Sequence, residues 1–296
     1  MTKQRATGRQ PVTVPAKLDW STFTSTGLDI SAAQGLLNTT SLGNLTASVD
    51  VAIDGGVALN VLDGVLVAKG DFTIALGQVK SALLPSGVSA DADAMTLTLT
   101  NVGVFVGVGG SLNANGTPTD YSNDTVENGT LGFGATVTTL TLVSIKDRGA
   151  SALLTTDDVS YLGVALDNFN GGLVGLEDLL VFQAYDVDAV MNKAAHGDGV
   201  TVPAKLDWST FTSTGLDISA AQAALNATSL LDLTAAVDLA IDGGVALNVL
   251  DGVLVAKGDF TIALGQVKSA LLPSGALQDA DAMTLTLTNV GVFVGV

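Results

Sequence analysis

The chain has 296 residues, of which 47% are hydrophobic, and carries a net charge of −17 with a mean hydropathy of +0.48. That length can bury a substantial core, and the acidity works against phosphate-rich nucleic acid as a partner. Cysteine is absent, which excludes disulfides and thiolate metal sites, and no apolar run reaches the ~20 residues of a membrane-spanning helix.

The acidic residues are 27 Asp against only two Glu, Glu127 and Glu177, beside 34 Gly. Aspartate competes with a helical backbone and favours turns, so this composition predicts strands joined by Asp/Gly turns. Residues 12–108 recur as residues 200–296 at a constant offset of 188, with ten paired positions differing. The pattern divides the chain into 1–11, a partial repeat or cropped N-terminus; 12–199, a first full repeat; and 200–296, the first half of a second. No apolar core follows the basic residues of Met1 to Gln10, so a secretion signal is expected, if anywhere, upstream.

In chain order, each copy opens on an extended run ending at Trp20 or Trp208, read as a core plug. Ser31-Ala-Ala-Gln34 fits a capping box and predicts a short helix over 31–42 and again over 219–230. From Leu45 the apolar period becomes two. Asp54-Gly55-Gly56, Asp63-Gly64 and Gly70-Asp71 read as hairpin turns between short strands, and Pro85-Ser86-Gly87 as a break. Strands are expected over 95–100 and 102–108, then a polar loop over 113–130. Further strands follow over 131–137, 140–145, 161–166 and 173–176. Residues 179–191 fit a strand face and a helix face; their Val, Tyr and Asp content favours strand. The prediction is an all-β, elongated tandem array of antiparallel meanders. Each period would hold ten to fourteen strands of five to eight residues and a short helix.

Several segments carry a resemblance: Leu45-Thr-Ala-Ser-Val-Asp-Val51, Val65-Leu-Val-Ala-Lys-Gly-Asp-Phe-Thr-Ile74, Leu97-Thr-Leu-Thr-Asn-Val-Gly-Val-Phe-Val-Gly-Val-Gly-Gly110, Gly172-Leu-Val-Gly-Leu-Glu-Asp-Leu179 and Val187-Asp-Ala-Val-Met-Asn-Lys193. Together they resemble the modules of giant repetitive bacterial surface or secreted proteins of the LEPR-XLL type. The resemblance implies an extracellular or cell-surface location and an adhesive or structural role, with neighbouring repeats and cell-surface polysaccharide as partners. It brings no catalytic residues to carry over.

No catalytic constellation stands out from the residues themselves. His196, the single histidine, sits in a Gly/Asp turn and reads as a solvated loop residue. The carboxylate pairs Asp91/Asp93, Asp157/Asp158, Asp186/Asp188 and Asp279/Asp281 read as turn and strand-end chemistry. Ca²⁺ is the one cofactor the oxygen donors suit, with Asp120, Asp124 and Glu127 of the polar loop as candidate ligands. Their spacing matches neither an EF-hand loop nor a Ca²⁺-binding nonapeptide array. The expected role is a non-enzymatic spacer or stalk segment. Two alternatives are a lipid-handling β-groove lined by the Val and Leu faces of 57–76, and a polysaccharide-acting β-helix enzyme with Asp91 and Asp186 as first residues to test.

Overall fold

The computed structural model describes residues 16–38, 42–85, 89–150, 154–227, 230–271, 275 and 277–295. Residues 1–10 and the break at 86–87 lie outside them. The chain is all-β, as its composition predicts, but its strands are organised differently from the short meanders expected. Nine long strands form one antiparallel sheet. They are β1 (Val49–Val61), β2 (Leu66–Leu83), β3 (Ser89–Val108), β6 (Leu131–Asp147), β7 (Val159–Val174), β8 (Leu180–His196), β10 (Val237–Val249), β11 (Leu254–Leu271) and β12 (Leu277–Val294), hydrogen-bonded in that order. A small hairpin of β4 (Ser111–Asn113) and β5 (Thr125–Glu127) forms a separate sheet in the polar loop, and β9 (Thr214–Gly215) pairs beside β2. Each period therefore has six long strands of 13 to 20 residues. At about 4.8 Å per strand the nine span roughly 43 Å, no more than the ~45–65 Å length of the strands themselves, so this chain is a slab.

Two of the expected turns are strand interior. Asp54-Gly55-Gly56 lies inside β1 and Gly70-Asp71 inside β2, with Gly56 opposite Asp71 across the hairpin. A Cβ on Gly56 would stand 3.0 Å from the Asp71 carboxylate, and one on Gly55 would touch the Phe72 ring. The glycines make room for cross-strand side chains instead of turning the chain. Leu62-Asp63-Gly64 is the real turn, with all three residues at positive φ. Residues 180–196 are strand, as β8. α2 is Ser219–Leu225, shorter than expected, and α1 is Ser31–Asn38, with 39–41 outside the described residues.

A line of bulges creases the sheet. Asn101, Asn168, Asp186 and Asn289 all take φ near +50°, beside breaks in the strand register. Asn and Asp adopt this left-handed conformation most readily among residues with a Cβ. Their side chains and neighbours then tie the crease together. The Asn168 amide donates to Asp188 Oδ1 at 2.7 Å, and the Asp186 amide to Asn170 Oδ1 at 3.0 Å.

The two faces differ. Ala94, Val143, Ile145, Ala165 and Val190 are buried on one side, close to a covering segment. Their strand neighbours point to the other side by the alternation of the pleat. There an unbroken ladder runs across all nine strands, from Ile53 through Ile74, Leu97, Leu142, Val164, Met191, Leu239 and Leu264 to Met283. Those residues are opposite one another in the register and stay partly or fully exposed.

Candidate inter-copy interface

The largest buried cluster joins the two copies. In the second copy, residues 203–227 follow β8 and cross back over the sheet, and residues 230–236 lead into β10. On the way Thr214 and Gly215 pair with Lys80 and Val79, and the Leu216 amide donates to Gln78 O at 2.8 Å. That is where β1 has ended, so β9 extends the sheet along the vacant side of β2. The segment buries Leu206, Trp208, Phe211, Leu216, Ile218 and Leu225 against Val79, Ala82, Ala92, Ala94, Val143 and Ile145 of the first copy. Small residues on the sheet admit large ones on the cap, and the contact is close. A Cβ on Gly163 of β7 would lie 2.7 Å from Leu225 Cδ1 and 2.9 Å from Trp208 Cε2.

Asn192 on β8 latches the cap. It is buried, its Nδ2 donates to Leu206 O at 2.8 Å and Thr234 O at 3.0 Å, and its Oδ1 accepts from the Trp208 indole at 3.1 Å. One amide side chain thus satisfies three polar groups, buried or partly buried, that would otherwise be stranded. A second link reaches over β10. The Tyr185 ring of β8 lies on Gly244, where a Cβ would come within 2.0 Å, and its hydroxyl donates to Asp259 of β11 at 2.9 Å. Burial, then the Asp259 carboxylate, raises the Tyr185 phenol above its ordinary value. Asp259 in turn is held low, chiefly by the Asn289 amide and then by that same phenol.

The first copy contains the same cap folded in the same way. Gln34 Nε2 donates to the carbonyls of Trp20 and Phe23 at 2.9 and 2.7 Å; Gln222 does so to Trp208 and Phe211 at 2.9 and 2.8 Å. These glutamines brace the preceding loop instead of closing a capping box, and the amides of Ser31 and Ser219 are met by Asp29 and Asp217. Only docking differs between the copies. Leu216 is 4% exposed and its counterpart Leu28 is 83% exposed; α2 buries Ala221 and Leu225 while α1 buries nothing. Sheet residues show the same contrast, with Val79 at 0% against Val267 at 45%. The amino acids are identical in each pair, so the neighbour alone decides burial.

Asp217 gives a pH test of the cap. The Ser219 hydroxyl, then its amide, hold this carboxyl below its ordinary value of 3.8. Because the folded-state value is the lower one, its contribution is complete above 3.8 and is lost as pH falls through the lowered value. Cap stability should therefore be level from neutral pH down to about 4 and fall below that. Asp217→Asn should be less stable at neutral pH and lose less in the acid range. Urea melts followed by tryptophan emission at several pH values check this, and parallel acid limbs for the two proteins would refute it.

The candidate Ca²⁺ ligands are placed but not gathered. Asp120 accepts from the Ser122 amide at 3.0 Å and hydroxyl at 2.6 Å, and the hydroxyl above all lowers its pKa. Glu127 accepts from Asn113 at 2.7 Å and Ser111 at 3.2 Å. Asp124 turns inward, 4% exposed, with Oδ1 lacking a hydrogen-bond partner, beside a concavity of about 510 Å³ also lined by Lys69, Asn101, Asn128, Asn170 and Gln183. Among the described residues no three His, Cys, Asp or Glu side chains are grouped to hold a metal.

Other candidates are tied into the scaffold. His196 Nδ1 lies 3.0 Å from Asp198, whose carboxylate is held well below its usual range by the Thr201 hydroxyl first and then by the amides of Thr201 and Val200. Asp91 pairs with Lys80 at 3.1 Å, Asp93 with Arg148, Asp158 with Lys146 at 2.7 Å and Asp279 with Lys268 at 3.0 Å. Asp186 bends the crease and Asp188 accepts from the Asn168 amide. None of the described helices is long and apolar enough to cross a membrane. The chain matches no protein family, no curated protein and no solved structure.

Proposed function

We propose that this chain is a non-enzymatic spacer or stalk segment of a long, repetitive, surface-attached or secreted bacterial protein, with an adhesive or structural role. The observation that carries this reading is the junction at Asn192 and Trp208, where one copy's cap seals the other copy's sheet while β8 pairs with β10 across the copy boundary. Modules that complete one another's layers lengthen by repetition without a new core. The extracellular location and the polysaccharide partner follow from the resemblance of the repeat to surface-protein modules. Ca²⁺ at Asp124 is an optional addition to the same reading.

Six long strands per period predict that each added period lengthens the particle by about 29 Å, at ~4.8 Å per strand. Small-angle scattering of chains extended by one, two and three periods should show a maximum dimension rising in such steps. Particles that grow in all directions at once would overturn the spacer reading.

A second reading draws on the uncovered apolar ladder from Ile53 to Met283: a β-face that carries lipid chains. Apolar grooves recur on it at the repeat offset, beside Val57, Leu59 and Phe72 and beside Val245, Leu247 and Phe260. Lipid retained in native mass spectra would favour it.

A further inference from the structure

β12 and β3 have nearly the same sequence and different surroundings. β3 pairs with β2 and β6; among the described residues β12 pairs with β11 alone. Phe105 of β3 is 0% exposed and its counterpart Phe293 is 58% exposed. What buries Phe105 is specific. A Cβ on Gly110 would stand 2.4 Å from its ring, one on Gly107 2.7 Å and one on Gly132 2.9 Å. Gly107 is opposite Gly132 in the β3–β6 register. The ring thus fits a seat of three glycines, two of which, Gly110 and Gly132, come from the half of the period that follows β3. At the other end of the strand, Ala92 and Ala94 are buried beneath the cap, which also follows in the sequence. Their counterparts Ala280 and Ala282 are not buried.

We propose that the free edge of β12 and the adjoining face of β10–β12 form a docking surface for one kind of partner: a polypeptide with the sequence of residues 109–237 of this chain. Such a partner supplies a β6-type strand for the edge, a Gly110/Gly132 seat for Phe293, and a Trp208 cap for Val267, Ala280 and Ala282. A generic edge strand supplies only the first. The inference deepens the spacer reading and rests on it for the order in which modules follow. It adds that the glycine seat selects the correct module against other apolar strands.

The test appends residues 109–249 of the chain after Val296 and follows amide exchange over Leu277–Val294, whose first residues distinguish it from Ser89–Val108. Exchange there should slow by about tenfold or more, approaching that of β3. A second extended chain carries Gly132→Val in the appended segment only. It should lose the protection near Phe293 and keep it near Ala280, a pattern that mere lengthening would not produce. Unchanged exchange at β12 in the first extended chain overturns the proposal. So does concentration-dependent protection of β12 in the unextended chain, which would make a whole second copy the occupant. Scattering separates the two readings. Stepwise growth without β12 protection removes the docking surface alone, whereas β12 protection without stepwise growth removes the spacer alone.

Discussion

Trp208→Ala should lower the unfolding free energy by about 3–5 kcal/mol, the usual cost of deleting a buried large aromatic, while Trp20→Ala should cost no more than about 1 kcal/mol, as for a partly exposed site. The two residues have the same local partners. Each caps a loop braced by a glutamine, and each packs on a phenylalanine ring, Trp20 on Phe23 with centroids 5.7 Å apart and Trp208 on Phe211 with centroids 6.0 Å apart. Only Trp208 also fills the space over Gly163 and donates its indole N–H to Asn192 Oδ1. Urea unfolding followed by circular dichroism measures both variants. Equal losses would mean that the cap's internal structure, not its docking on the sheet, provides the stability.

Asn192→Leu should cost about 3 kcal/mol, since each buried polar group left unpaired costs roughly 1–3 kcal/mol and three are stranded together, with less than full additivity. Leucine has a similar volume, so a cavity is not the cause. The double variant Asn192→Leu, Trp208→Phe removes the indole N–H as well, and should lose less than the sum of its single changes. Additive losses would show that Asn192 and Trp208 act independently. A loss under about 0.5 kcal/mol for Asn192→Leu, the range of ordinary surface changes, would show that water replaces the amide without penalty.

Much of the architecture was legible in particular residues. Period-two runs announced strands, Asp63-Gly64 a turn, and Ser31 and Ser219 the starts of two short helices. Strand length was not legible. Asp54-Gly55-Gly56 has a hairpin's local chemistry, yet Phe72 and Asp71 occupy the space above those glycines, so cross-strand packing overrides the local signal. The roles of Gln34 and Gln222 were hidden for the same reason, because their acceptors are carbonyls 11 and 14 residues earlier. Of the candidate site, the cluster of Asp120, Asp124 and Glu127 is close in sequence but diverges in space, with two on the loop surface and one buried. The interface itself has a more basic obstacle. Leu28 and Leu216 have the same sequence context and opposite burial, so no local pattern could assign one to a core and the other to solvent.

The meander topology has a mechanical consequence. Among the described residues, and apart from β9, each strand of the main sheet pairs only with the strands beside it in the winding order, and every pairing is antiparallel. A pull on the two chain ends opens such a ladder like a zipper, loading one rung at a time instead of shearing many together. Single-molecule stretching should give a series of small steps working inward from β12 and β1, with the largest step when the Trp208 cap lifts. A lone all-at-once rupture would contradict this. A sheet built this way should yield gradually under load, with its strongest point where the two copies meet.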